Sequence, residues 1–211
     1  MKKQIAKKSV APVRRRNAAA TRAAILDSAR RAFARAGYEG AGVREIAKEA
    51  GVTAMMVNRY FGSKERLFAE AIAETMARTS VLAPIMLNPQ ATGEEIAAAL
   101  INITKKDAAP LEGFQIMLRS ASSERASEIG REQIENHHQR LIAAALSGEL
   151  APQRAAVMLS LIAGLQIMRQ MIGLSALTEA DPKALVKILG PVFEQLIKGE
   201  RSADETLPQR K

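Results

Sequence analysis

The chain has 211 residues, a formal net charge of +9 and no cysteine or tryptophan, and 47% of it is hydrophobic against only 3% aromatic. That hydrophobic share excludes wholesale disorder, and the missing cysteines exclude disulfides, thiolate metal sites and cysteine nucleophiles, in keeping with a reducing cytosol. The length suits one ordinary domain or a small one beside a medium one, and apolar residues dominated by Ala, Leu, Ile and Met favour helices over strands.

The charge is unevenly spread. Residues 1–68 carry 16 Lys/Arg against 5 Asp/Glu, a net of +11, whereas residues 69–211 carry 15 against 17, a net of −2. An excess confined to the first third is the footprint of a nucleic-acid-binding end. Lys2, Lys3, Lys7, Lys8 and Arg14–Arg16 alone would also make a solubilising tail, so charge by itself leaves both readings open.

In chain order, residues 1–18 show no apolar periodicity and read as a flexible basic arm. No apolar run follows the basic start, so it does not read as a secretory signal. From Thr21 onward, Ile25, Ala29, Ala32, Phe33 and Ala36 recur at helical spacing, with Gly37 placed as a C-terminal cap. Helices are predicted over 43–50 and 53–61, then over 63–82 with Ser63 as N-cap. Pro84, Asn88, Pro89 and Gly93 mark a connection. Further helices are predicted over 93–106, 110–121, 124–147, 152–174 and 181–198. Asp181–Pro182 is a start signal for the last of these, and Pro191 is expected to kink or break it. Residues 201–211 read as a polar tail. The apolar stretch Ala155–Leu174 is interrupted by Ser160, Gln166, Arg169 and Gln170, whereas a membrane span wants about 20 residues with few or no charges. The expectation is a soluble, cytoplasmic, all-α protein divided as 1–18, 19–78, 79–200 and 201–211.

The segment Val43–Phe61 has the local constraints of a helix-turn-helix. Ala47 is small where a second helix crosses, and Gly51 stands where the turn needs a positive φ. Ile46, Ala50, Val52, Val57 and Phe61 supply buried contacts, and Thr53 caps the second helix. Its exposed N-terminal face would turn Thr53, Ala54, Met55, Asn58 and Arg59 toward a DNA groove.

On these residues the stretch from Thr21 to about Ala77 resembles the DNA-binding domain of the TetR/AcrR family. The matching pieces are Ile25–Ala29, Phe33–Tyr38, Val43–Ala47, Ala50–Val52, Tyr60–Glu65 and Leu67. The resemblance implies an N-terminal three-helix unit joined by a long helix to a ligand-binding, dimerising body. The chain departs from the family pattern at Asn58, where a Tyr is usual, at Met55 and Met56, where small residues are usual, and at Gly42, where Ser or Thr is commoner. Asn58 could bond a phosphate, or an adenine in bidentate fashion.

The resemblance implies that Arg44 can reach a guanine edge, with a solvated surface arginine as the alternative, and that Lys64 meets a phosphate at a helix N-terminus. A cation there otherwise opposes the helix dipole at about 0.3–1 kcal/mol. Arg59 and Tyr60 are further backbone-contact candidates, although Tyr60 could equally pack its ring. In the body, Met86, Phe114, Met117, His137, Met158 and Ile162 are candidates for an apolar effector pocket, with plain core packing as the alternative. The helix 155–174 is apolar nearly all round, so it must be buried on several sides. With the helix 181–198 it forms the expected dimer seam, through Leu161, Gly164, Leu165, Met168, Val192 and Leu196. No phosphate loop, nucleophile elbow or metal-ligand cluster appears in the sequence. The expected partners are double-stranded DNA with a near-palindromic operator, a small-molecule effector and a second copy of the chain, with no cofactor and no membrane. The expected activity is that of a sequence-specific regulator, a repressor released by its effector. The alternative is an architectural DNA-binding dimer without one.

Overall fold

The computed structural model describes residues 11–78, 85, 88, 90–105 and 112–199, with the backbone alone for 11–17, 77 and 78. Among the described residues every regular element is helical. They are α1 (Ala11–Gly40), α2 (Val43–Glu49), α3 (Ala54–Phe61), α4 (Lys64–Arg78), α5 (Gly93–Ile103), α6 (Glu112–Ser120), α7 (Glu124–Gln133), a wide π segment π1 (Ile134–Gln139), α8 (Arg140–Ala145), α9 (Ala151–Gln166), a second wide segment π2 (Ile167–Ile172), α10 (Ser175–Thr178) and α11 (Pro182–Lys198). They group into two compact units, one of Met1–Ala73 with Ile116–Ile129, the other of Glu74–Gln115 with Gly130–Lys211.

The first unit is built on the periodicity of α1. Ile25, Ala29, Ala32 and Phe33 are buried, together with Ile46 and Ala47 of α2, Val57 and Phe61 of α3, and Leu67, Phe68, Ala71 and Ile72 of α4. Phe68 meets Phe33 and Tyr38 edge-on, both at 4.9 Å between ring centres, an arrangement that aligns positive ring edges with negative faces. The buried Ser28 hydroxyl donates to the Ile46 carbonyl at 2.9 Å and ties α1 to α2. At Gly37 the backbone turns to φ 68°, which breaks α1 where the cap was expected. A side chain at Gly37 would also strike the Arg119 carbonyl oxygen, only 2.3 Å from where a Cβ would stand. The stretch Ile116–Ile129 joins this unit through bonds between residues distant in sequence: the Tyr38 N–H donates to the Ser120 hydroxyl at 2.9 Å and the Ser123 hydroxyl to Glu39 at 2.6 Å.

In the second unit α5 packs along α11. Thr92 and Glu95 form a reciprocal capping box at the start of α5. Gly93 lies so close to α11 that a Cβ there would stand 2.2 Å from the Gly190 oxygen, and its N–H donates to Glu194 at 2.6 Å. Ile96, Ala97, Leu100, Ile142, Ala155, Met158, Ile162 and Phe193 make one buried cluster. Asp181 caps α11 as expected, but the helix runs through Pro191 to Lys198 without a break. Pro191 is on the exposed face, so the carbonyl four residues earlier, which loses its N–H partner, can turn to solvent. Two further differences are that α1 is helical from Ala11, within the expected arm, and that α10 is an extra short helix.

The run Ala151–Ile172 is long and apolar enough to cross a membrane by length and composition. Its two arginines nevertheless serve as internal caps. Buried Arg154 donates to the carbonyls of Glu149, Leu196, Ile197 and Ser147. Buried Arg169 donates to those of Leu177 and Ile101 and to the Thr104 hydroxyl. Each thus places a cation at helix C-termini, the end the macrodipole makes negative.

Candidate nucleic-acid interface

Local chemistry builds the motif as its sequence suggests. Helix α2 starts at Gly42, which offers no side-chain cap, and ends at Ala50, whose N–H bonds back to Ile46. Gly51 takes φ +69° with no heavy atom near its missing side chain, so conformation alone requires glycine there. Thr53 holds an extended conformation and its hydroxyl accepts from the Met56 N–H at 3.4 Å. Helix α3 then buries Val57 and Phe61 one turn apart. The opposite face is left to Met55, 80% exposed, with Asn58 and Arg59 also exposed and Ala54 and Tyr60 half-buried. At the start of α4 the Ser63 hydroxyl accepts from the Arg66 N–H at 3.3 Å, the cap expected of it.

The cations of this unit fall into two groups. On α1, Arg22 pairs with Glu70 and Arg31 with Asp27 and Glu49. Arg30 pairs with Asp27, and Arg35 with Glu45 and Glu49. The Arg31 and Arg35 hydrogen bonds hold the Glu49 carboxyl below the usual carboxylate range, and Glu49 with Asp27 raises Arg31. Arg44 on α2 and Arg59 on α3 are exposed, and among the described residues neither forms an ion pair. Lys64 is half-buried. Its ammonium lies 4.7 Å from the centre of the Tyr38 ring and donates at 3.5 Å to the Glu39 carbonyl, so the ring face and the carbonyl offset the unfavourable dipole. Burial, then Glu65, raises the Tyr38 hydroxyl, while the Ser63 side chain lowers Glu65.

The pocket candidates fall in both units. Met158 and Ile162 are core residues of the second unit. Phe114 is half-buried in that unit, and Met117 belongs to the first. His137 is exposed, with Nδ1 3.2 Å from the Gln133 carbonyl. Its neighbour His138 is half-buried, and its Nδ1 has no partner. Burial, then His137, lowers the His138 pKa. Met86 lies outside the described residues. Among the seam candidates, Met168 and Val192 are exposed and Leu161, Gly164, Leu165 and Leu196 half-buried. Gln166 was legible only as an interruption of an apolar stretch. It proves to be 2% exposed with both amide atoms unpartnered. The signal that could have found it is its place on the 155/158/162 stripe. Among the described residues no group of three or more potential ligands could hold a metal ion.

A glycine-turned helix pair, a threonine-capped second helix with a polar outer face, and unpaired arginines on both helices define a helix-turn-helix of the DNA-binding kind. Comparison with known proteins agrees. A model described as bacterial regulatory proteins, tetR family, matches residues 25–71, and one described as tetracyclin repressor-like, C-terminal domain, matches residues 90–197. The chain belongs to the TetR family, whose members are DNA-binding transcriptional regulators and not enzymes. Over 58 residues it is 43% identical to the HTH-type transcriptional repressor AcnR of Corynebacterium efficiens. That stretch covers 28% of this chain and about a third, 31%, of the length of that relative. A TetR-family regulator from Streptomyces coelicolor A3 superposes with a TM-score of 0.57 at 24% identity, over 85% of this chain and 95% of that one. The multidrug binding protein EbrR, complexed with malachite green, superposes with a TM-score of 0.58 at 21% identity, over 83% and 97%.

Proposed function

We propose that the chain is a cytoplasmic repressor, a homodimer that occupies a near-palindromic operator in double-stranded DNA and leaves it when a small, largely apolar effector binds the body. The contrast in ion pairing carries this reading. Arg22, Arg30, Arg31 and Arg35 of α1 are paired with carboxylates, while Arg44 and Arg59 are left to meet phosphates and base edges. Arg44 reads a base edge in each half-site. Arg59, Tyr60 and Lys64 hold the backbone, and Thr53, Ala54, Met55 and Asn58 face the groove. Lys64 keeps donor capacity beyond its carbonyl bond, since an ammonium has three donors.

Repression is supported by the likeness of the DNA-binding segment to AcnR, a named repressor. Effector binding is supported by the likeness of the fold to EbrR, crystallised with malachite green. Dimerisation is supported by apolar residues left exposed on α9, π2 and α11: Val157, Met168, Ile172, Ile188 and Val192. The seam runs along them through Leu161, Gly164, Leu165 and Leu196. Helix α4 is the transmitter, because Lys64 stands at its DNA end and its last residues, from Glu74 on, belong to the second unit. An effector can release DNA only by favouring the non-DNA conformation, and a coupling of about 1–3 kcal/mol is typical. Titration of the full chain onto its own upstream DNA, with and without a bound hydrophobic compound, tests this. The expected result is a 5–150-fold loss of affinity; unchanged affinity with every compound that stabilises the protein would contradict it.

A further inference from the structure

The buried residues of α9 and π2 lie on one stripe. Ala155, Met158, Ile162, Gln166 and Arg169 follow one another at intervals of three or four residues, and all are buried, so they share a helix face. Its first three members are apolar core. Gln166 comes next, 2% exposed, and neither its Nε2 nor its Oε1 has a hydrogen-bond partner. A buried polar group left unpaired costs about 1–3 kcal/mol, so an amide here is a poor structural choice beside a leucine of similar size. It does not serve Arg169, whose guanidinium already bonds Leu177, Ile101 and Thr104 at 3.0, 2.9 and 2.7 Å. That cation is offset by the carbonyl ends of α5 and α10 and needs no ligand anion. Gln166 also stands where α-helix gives way to the wide turns of π2, a feature that recurs at functional sites.

We propose that Gln166 recognises the polar head of the effector, and that this head is an uncharged carboxamide or lactam on an apolar body; the inference rests on the effector reading above. The side-chain amide presents a donor and an acceptor side by side. Only a ligand edge with an acceptor and a donor in the same arrangement satisfies both. A carboxylate would accept from Nε2 but set its lone pairs against Oε1, and burying its charge would cost more. An ammonium could serve Oε1 alone. Ile162 and Met158, one and two turns back, continue the stripe as about 12 Å of apolar core at 1.5 Å per residue, the length of a medium acyl chain, which would enter by displacing part of that packing.

The experiment uses the full chain, with octanamide, octanoate and octanol as probes in thermal-shift and DNA-binding titrations. Octanamide is expected to bind wild type at least tenfold more tightly than the other two and to lower DNA affinity. Gln166→Leu removes two unpaired polar atoms and should fold at least as stably; Gln166→Met is the second variant should leucine pack poorly. Both should weaken octanamide at least tenfold and leave octanol within twofold. If octanamide binds the variants as tightly as wild type, or if octanoate or octanol matches it on wild type, the head-group assignment is wrong while effector binding stands. If none of the three binds wild type, the head-group assignment falls, while the effector reading stands or falls on the wider titration of stabilising compounds described above.

Discussion

Helices α3 and α9 both bury apolar residues, Val57 and Phe61 in one and Ala155, Met158 and Ile162 in the other, but they differ in their outer faces. Helix α3 buries Val57 and Phe61 and leaves Asn58 and Arg59 in solvent. Helix α9 and its continuation bury Arg154, Gln166 and Arg169 and leave Val157, Met168 and Ile172 outside. A polar, cationic outer face is stable in water and suits a charged, hydrated partner such as DNA. An apolar outer face is unfavourable in water until something covers it. In the proposed assembly the covering surface is the same one on a second copy, as a two-fold axis demands. Met55, the one large apolar residue exposed on α3, stands alone and needs no such cover.

The sharpest way to break that contrast is a charge on the α9 seam. Gly164 has no heavy atom within 4 Å of where a Cβ would stand, so the Cβ of Gly164→Asp has room in the protomer itself. Across a seam it buries an unpaired carboxylate, at about 3–5 kcal/mol. Monomers on sedimentation, with unchanged helicity and a matching loss of operator affinity, are expected. On α3 and α2 the effects should be smaller and of another kind. Arg44→Ala should cost about 1–3 kcal/mol on operator DNA and relax preference at one position per half-site; equal losses on scrambled DNA would turn it into a phosphate contact. Arg59→Ala should weaken every sequence alike and reduce the slope of log affinity against log salt by about one unit.

The smallest effect belongs to the paired group. Glu49 is bonded to Arg31 at 2.7 Å and to Arg35 at 3.1 Å, all near the surface, so Glu49→Gln should cost under about 1 kcal/mol of stability. Because folding lowers the Glu49 pKa, the contribution is present above the ordinary carboxylate pKa. It is lost as pH falls through the lowered folded value. Thermal melts from neutral pH down to pH 3 should bring wild type and variant together at the acid end. A gap that widened toward acid would reverse the assignment.

What could be read in advance follows the range of the interactions. Helices α2 and α3, Gly51, Thr53 and Ser63 were legible because each constraint acts within a few residues: a positive φ, a hydroxyl three residues before an N–H, apolar pairs one turn apart. The attachment of Ile116–Ile129 to the first unit was not legible, because it hangs on Ser120 meeting a backbone N–H 82 residues away. Pro191 misled because the rule against proline inside helices takes no account of packing, and α5 grips α11 through Gly93 and Glu194. Met158 and Ile162 were ambiguous between core and pocket for a related reason: a buried apolar stripe looks the same in both. Both are packed core residues, and only the role proposed for Gln166 would make them pocket lining as well; an amide's bonding state cannot be read from residue order.

In the proposed assembly the α3 face and the α9 face work together, one reading DNA and the other setting two copies at a fixed spacing. Footprinting of the full chain, wild type and Gly164→Asp, on the DNA flanking its own coding region tests this most directly. The expected pattern for wild type is two protected half-sites in inverted orientation, their centres about 34–36 Å or one helical turn apart or a multiple of it. Gly164→Asp should lose that protection at the same concentration. A single asymmetric footprint, or a paired one that survives the substitution unchanged, would contradict the account.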